Sequence, residues 1–263
     1  MRPPEKAGVK IGRVETAAGG QLQLGLLLPR HADSLPPIAI LAARAGWQAI
    51  WVAAGFARPN EALVAGMRVG WVVSDTDEQA LDPVDDIWLR GGAATAASMA
   101  AFSSRLAGGQ EVSVDAPTAD VEAAIRSAGG VPVFGPAPLQ TLVERLRGAS
   151  GRSAVCLPAS PGRTAAEAQA RLSGDPGLRA EAEMAAGLVG TLEECQQTVA
   201  TLYAAGMREL RLRLPETSDI PDVIAQMSTL RGALLADLLA GSPRSPAPAA
   251  PSTWGGRPSP RLD

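Results

Sequence analysis

The stretch from Gly187 to Leu214 constrains the chain more than any other, because it writes a helix and a strand in one unbroken run. Thr191 stands where an N-cap belongs, and Glu194 three residues on completes a capping box. Leu192, Cys195, Val199 and Leu202 follow at helical spacing. Gly206 supplies the stop, since glycine readily takes the left-handed conformation that ends many helices. Leu210, Leu212 and Leu214 then alternate with Arg211 and Arg213, the period of a strand. A helix that returns through a tight turn to a strand is half of a βαβ repeat, and parallel strands need such crossovers.

The same grammar recurs towards the amino terminus. Residues 22–28 form an apolar run ended by Pro29. Asp33 or Ser34 can start the next helix, with Ile38, Leu41, Ala42 and Ala45 as its inner face and Gly46 as its stop. Residues 49–53 give a second strand, and further strands are expected at 67–73, 111–114, 131–134, 153–157 and 209–214. Helices are expected over 93–106, 118–128 and 138–147, an acidic loop over 77–86, and a turn over 187–191. Short apolar segments alternating with helices specify an α/β fold with a parallel sheet. The expectation is a TIM-type (β/α)8 barrel, incomplete, with about seven parallel strands. Residues 1–20 read as a loose N-terminal arm, 21–238 as the barrel domain and 239–263 as a disordered Pro-rich tail. Pro, Ser and Gly at the density of that tail bury little surface, and its Trp254 reads as solvated.

With 46% hydrophobic residues in 263, the chain can bury a sizeable core. Its net charge of -3 excludes a broad basic surface and argues against nucleic acid as a partner. No run approaches the ~20 apolar residues of a membrane span. The start, MRPPEKAGVK, has no apolar core of the secretory kind, so a cytoplasmic protein is expected. Cys156 and Cys195 match no metal or redox spacing and read as small buried hydrophobes.

Four stretches resemble one family. GLVGTLEECQQTVATLYAAGMRELRLRLP resembles the closing helix and last strand of the bacterial luciferase-like proteins. LGLLLPRHADSLPPIAILAARAGWQAIWVA resembles their first strand, first helix and second strand. AATAASMAAFSSRLAGGQEVSVD resembles the third helix and fourth strand, and AVCLPASPGRTAAEAQARL the seventh strand with the helix entry after it. The resemblance implies an oxidoreductase or monooxygenase on a (β/α)8 barrel, using FMN or F420 on a small-molecule substrate. Members are usually longer, and residues 142–152 are too short for the family's sixth strand. An unpaired edge left by that gap would favour a homodimer.

In such barrels the site lies at the carboxyl ends of the strands. After the first strand comes His31, the only histidine, as the catalytic acid or base. After the second come Ala54 and Gly55, where many members carry an acidic residue and a histidine; neither side chain can move a proton. Ser74, followed by Asp75, is placed to meet a ring edge after the third. Gly135 and Ala137 stand where the family has a glycine-rich phosphate loop, but Pro136 and Pro138 remove two N–H donors. Gly190 and Thr191 form a second candidate anion site at a helix start, which the capping box also explains without a ligand. Arg211 and Arg213 read as outer-layer residues facing helix carboxylates, with one of them at the mouth on an acidic ligand as the other choice. The alternative function is a non-catalytic flavin- or ligand-binding relic of the same barrel, or a scaffold that binds a partner.

Overall fold

The computed structural model describes residues 22–29, 35–53, 66–73, 86–90, 111–216 and 220–240. Among them, in chain order, are β1 (Gln23–Leu27), α1 (Leu35–Arg44), β2 (Ala49–Ala53), β3 (Arg68–Val73), β4 (Asp86–Leu89) and β5 (Glu111–Asp115). Next come α2 (Ala119–Ser127), β6 (Val131–Phe134), α3 (Leu139–Gly148), β7 (Ala154–Gly162), α4 (Ala165–Leu172) and α5 (Pro176–Met184). The last elements are β8 (Leu188–Thr191), α6 (Leu192–Ala204), β9 (Glu209–Arg213) and α7 (Ile220–Ala240). The arm, the tail and the helix expected over 93–106 lie outside the described residues.

Among the described residues every strand pairing is parallel. Neighbours run β6-β5-β4-β3-β2-β1-β9-β7, and β7 returns to β6 through Val133↔Ala154 and Phe134↔Val155. Eight strands therefore close the TIM-type barrel expected from the sequence. The ring is complete where about seven strands were expected. The additional strand is β4, whose first residue, Asp86, is also the last residue of the expected acidic loop over 77–86. No strand is needed within 142–152, because β6 pairs directly with β7. The segment expected as a turn at 187–191 contains β8, which pairs with the far half of β7 outside the ring.

Side chains alternate across each strand, and the alternation sorts them into two cores. Leu24, Leu26, Ile50, Val52, Val69, Trp71, Leu210, Leu212 and Leu214 pack outward against helix residues such as Ile38, Val199, Leu202 and Val223. Leu27, Ala49, Trp51, Trp88, Val133, Ala154 and Cys156 form a separate core in the lumen. Glycines make room for the lumen tryptophan. A Cβ at Gly25 would stand 2.2 Å from Trp51 Cζ3, and one at Gly70 2.6 Å from Trp51 Cδ1. Trp51 and Trp88 meet edge to face, with centroids 6.3 Å apart.

This sorting corrects the placement of the β9 arginines. The leucines take the helix side, so Arg211 and Arg213 face inward. Arg211 Nη1 donates to Ser113 Oγ of β5 at 2.8 Å. β5 and β9 are not neighbours in the ring, so that bond crosses the lumen. The capping box of α6 is present as expected: Thr191 accepts from the Glu194 N–H while the Glu194 carboxylate accepts from the Thr191 N–H. Gly206 adopts φ +113° at the stop. Both cysteines are free and buried.

Candidate active site

The strand register stacks the inward residues in layers, and the two ends of the lumen differ. At the amino end, Arg68, Asp86, Glu111, Arg152 and Glu209 crowd together, with Arg211 one layer deeper. Arg211 is fully buried. Its Nε donates to Glu209 Oε1 at 2.8 Å, and its guanidinium lies over Trp51 at 4.2 Å and Trp88 at 4.8 Å. Arg152 reaches Glu209 at 2.5 Å and also pairs with Glu111. Arg68 pairs with Asp86 at 3.1 Å.

Burial would raise the Glu209 pKa, but Arg211, Arg152 and Arg68 outweigh it and hold the carboxyl below its ordinary value. Asp86 goes the other way. Burial outweighs the attraction of Arg68 and, with help from Glu111, raises it to about 6. Three guanidinium groups and three carboxylates thus fill this end. Glu209 and Arg211 are buried there, while Arg68, Glu111 and Arg152 keep part of their side chains in solvent.

At the carboxyl end the polar groups are partly open to solvent. Asp115 is the last residue of β5, and Trp88 Nε1 donates to its Oδ1 at 2.8 Å. Arg90, just past β4, pairs with Asp115 Oδ2 at 3.6 Å and lies 5.1 Å from the Trp88 ring centre. Burial opposes the Arg90 charge, but nearby Cys156, Asp115 and Glu181 outweigh it and raise its pKa above the ordinary arginine value. Arg213, the last residue of β9, pairs with Glu181 of α5.

Helix α5 is anchored beside this mouth at both ends. Asp175 accepts from the N–H of Leu178 at 2.9 Å and of Glu216 at 3.1 Å. Ala186 N, just past the helix, donates to the Ala137 carbonyl at 2.8 Å. Cys156 lies deeper, and burial pushes its thiol up to about 12, which keeps it in the protonated form at neutral pH. Among the described residues no cluster of His, Cys, Asp and Glu could hold a metal ion. No described helix is long and apolar enough to cross a membrane.

Of the residues selected from the sequence, His31, Ala54, Gly55 and Ser74 lie outside the described residues, as does Asp75. They follow β1, β2 and β3 in the sequence. Gly135 and Ala137 stand directly after β6, at the mouth. Gly135 has φ +120°, and a Cβ there would stand 2.3 Å from the Cys156 carbonyl oxygen, so the glycine serves a backbone contact. The start of α3 after this loop has no side-chain cap. Gly190 and Thr191 stand apart from the lumen on β8. Thr191 N and Oγ1 both reach Glu194 Oε2, at 2.8 and 3.0 Å, so a carboxylate of the chain itself fills that helix start.

Sequence reasoning missed Arg90, Asp115 and Glu181. A signal for Asp115 existed: the alternation Val112, Ser113, Val114, Asp115 leaves the acid on the Ser113 face at the strand tip. No comparable signal marks Glu181, which reaches the mouth only through the path of α5.

No protein-family model matches the chain, and no curated protein matches it at a significant level. Solved structures do. One is apo-MsnO8, with 15% identity over 85% of this chain and 100% of that one, at a TM-score of 0.54. Another is the oxygenating constituent of 3,6-diketocamphane monooxygenase from Pseudomonas putida, a type II Baeyer–Villiger monooxygenase in complex with FMN. It shares 14% identity over 86% and 99% of the two chains, at a TM-score of 0.53. The coenzyme F420-dependent tetrahydromethanopterin reductase from Methanopyrus kandleri shares 8% identity over 79% and 97%, at 0.56. At these identities the likeness establishes the fold.

Proposed function

We propose that the chain is a flavin- or F420-dependent oxidoreductase of the luciferase-like kind, acting on a small organic substrate at the carboxyl end of its barrel. The observation that carries this reading is the contrast between the two ends of the lumen: one is built around the fully buried Arg211–Glu209 pair, the other carries Arg90, Asp115 and Arg213, each about a quarter exposed, at the carboxyl ends of the strands. Two neighbours in fold, by their own descriptions, use FMN or F420.

The donor set at the mouth fits the ring of such a cofactor. Arg90 donates, Asp115 accepts, and Trp88 backs both with an aromatic face. The phosphate end fits less evenly. Glu194 fills the helix start at Gly190 and Thr191, which repels an anion. The loop of Gly135 and Ala137 leads to a helix start without a side-chain cap, and is the better place for a phosphate.

Bound there, a flavin or deazaflavin supplies the hydride chemistry. The chain would bind and orient the ring and keep water out, and His31, which follows β1 in the sequence, would hold or move a proton. Ala54, Gly55 and Ser74, after β2 and β3, would line the ring without transferring a proton through Ala54 or Gly55.

The second reading, a non-catalytic ligand-binding barrel, draws on those last two residues and on the filled helix start at Thr191. One experiment separates the two. The purified protein is titrated with FMN and with F420, and reduction of the bound cofactor by candidate substrates is followed by absorbance. Binding with turnover that His31→Ala abolishes supports the enzyme. Binding without turnover supports the relic, and absence of binding removes both.

A further inference from the structure

The three carboxylates at the amino end of the lumen are not equally held. Glu209 accepts from Arg211 at 2.8 Å and from Arg152 at 2.5 Å. Glu111 accepts from Arg152 at its Oε2. Among the described residues, the ion pair of Asp86 is with Arg68, and it is poorly aligned. Arg68 Nη2 stands 3.1 Å from Asp86 Oδ2, yet neither atom has a hydrogen bond. The same nitrogen is 3.9 Å from Glu209 Oε1. Arg68 thus stands between two acids with a nitrogen that hydrogen-bonds to neither.

In the ladder between β4 and β5, Asp86 stands directly opposite Glu111. Both face the lumen, since Ile87 and Val112 beside them pack outward. Adjacent strands lie about 4.8 Å apart, so the two carboxyls are side by side. Glu111 Oε1 is buried and, like Asp86 Oδ2, has no hydrogen bond. Two ionised carboxylates in that arrangement repel each other, and neither can donate. A single proton removes both difficulties, because one oxygen becomes a donor while the other stays an acceptor. A proton also needs no cavity.

We infer that Asp86 and Glu111 form a proton-binding pair, in which Asp86 Oδ2–H donates to Glu111 Oε1 and the proton comes from solvent. Glu111, with 26% of its side chain exposed, is the route by which it enters. The proton belongs on Asp86 because its cation holds it without a hydrogen bond, whereas Arg152 bonds Glu111. Once Asp86 is neutral, Arg68 is free to close on Glu209. The other charged groups that face the pair are Arg68 of β3, Glu209 and Arg211 of β9, and Arg152 before β7. β2 presents Trp51 and β6 presents Val133, neither of them charged. With the proton bound, three guanidinium groups face two carboxylates; without it they face three. The pair is therefore a pH-sensitive element built into the fold. The Asp86 pKa agrees in direction: burial raises it against the pull of Arg68, and Glu111 raises it further.

The test is a carbon-13 NMR titration of the side-chain carboxyls in the full chain, with Asp86→Asn and Glu111→Gln used to assign the two signals. In the wild type both signals should move together with one midpoint, about 6, as expected of a shared proton. Glu111→Gln should lower the Asp86 midpoint by about one pH unit, a tenfold loss of proton affinity. Glu122→Gln, which removes an acid of α2 outside the lumen, should leave that midpoint in place. An Asp86 signal that moves while Glu111 stays still overturns the pair, and so does an Asp86 midpoint indifferent to Glu111→Gln. The co-titration is read in the wild type, so it decides even if Glu111→Gln fails to fold. No cofactor takes part, and the flavin reading stands or falls separately.

Discussion

The amino and carboxyl ends of the barrel use the same residue types to opposite effect. At the amino end Arg152, Arg211, Glu209 and Glu111 are interlocked, and Glu209 and Arg211 have almost no exposed side chain. At the carboxyl end Arg90–Asp115 and Arg213–Glu181 keep roughly a quarter of each side chain in solvent. A buried charge without its partner is costly, while a pair in contact with water is replaceable. The buried pair Glu209 and Arg211 is therefore committed to the fold, whereas Glu111, Arg152 and the two rim pairs keep contact with water.

The strongest way to break this contrast is Arg211→Met. It leaves Glu209 buried with one partner fewer and should destabilise the fold by about 3–5 kcal/mol in chemical denaturation. The double variant Arg211→Met with Glu209→Leu should recover part of that loss. A cost for the single variant no larger than that of a rim pair would remove the distinction between the ends.

The next effect is a pH dependence. The Asp86 pKa in the fold, about 6, lies above its ordinary value of 3.8. Its ionisation therefore opposes folding. Stability should fall as pH rises through that window, by on the order of 2–3 kcal/mol, and then level off above it. Asp86→Asn should flatten this segment of the stability–pH curve. If instead the variant steepens the curve, the pairing with Arg68 dominates over burial.

A smaller effect is expected at α6. Thr191→Ala should cost about 1 kcal/mol of stability through loss of the cap. Cofactor affinity should be unchanged, because Glu194 already fills that helix start. A loss of affinity with unchanged stability would return the site to a ligand. Smallest of all, Glu181→Gln should change stability by less than about 1 kcal/mol, as expected for a partly exposed pair.

Much of the fold was legible because each local signal carried its own physical cause. The capping box at Thr191 and Glu194, the stop at Gly206 and the leucine alternation after it each describe local chemistry, and each is present. β4 was not legible. Four residues are too short for a period to stand out, and Asp86 resembles the acidic loop before it; only burial beside Arg68 makes it a strand residue. Arg211 shows the limit at the level of the site. Its alternation with Leu210 and Leu212 gives two faces but does not say which one looks into the lumen. Asp115 was passed over for a related reason: a strand that ends in an acid reads the same at a loop entry and at a barrel mouth.

By itself the sequence determined the class of the molecule. Apolar segments too short to span anything alone, separated by capped helices, can bury their surface only as parallel strands under a helical layer. Tertiary structure alone decided where the charges went. Closure of the ring set the register, the register turned the leucines of β9 towards the helices, and what remained, the arginines and carboxylates of β3, β4, β5 and β9, had to meet inside. Whether such a meeting makes a sealed plug or an open rim depends on how many neighbours exclude water. Contacts between residues as distant as Ser113 and Arg211 settle that, and local sequence does not encode it.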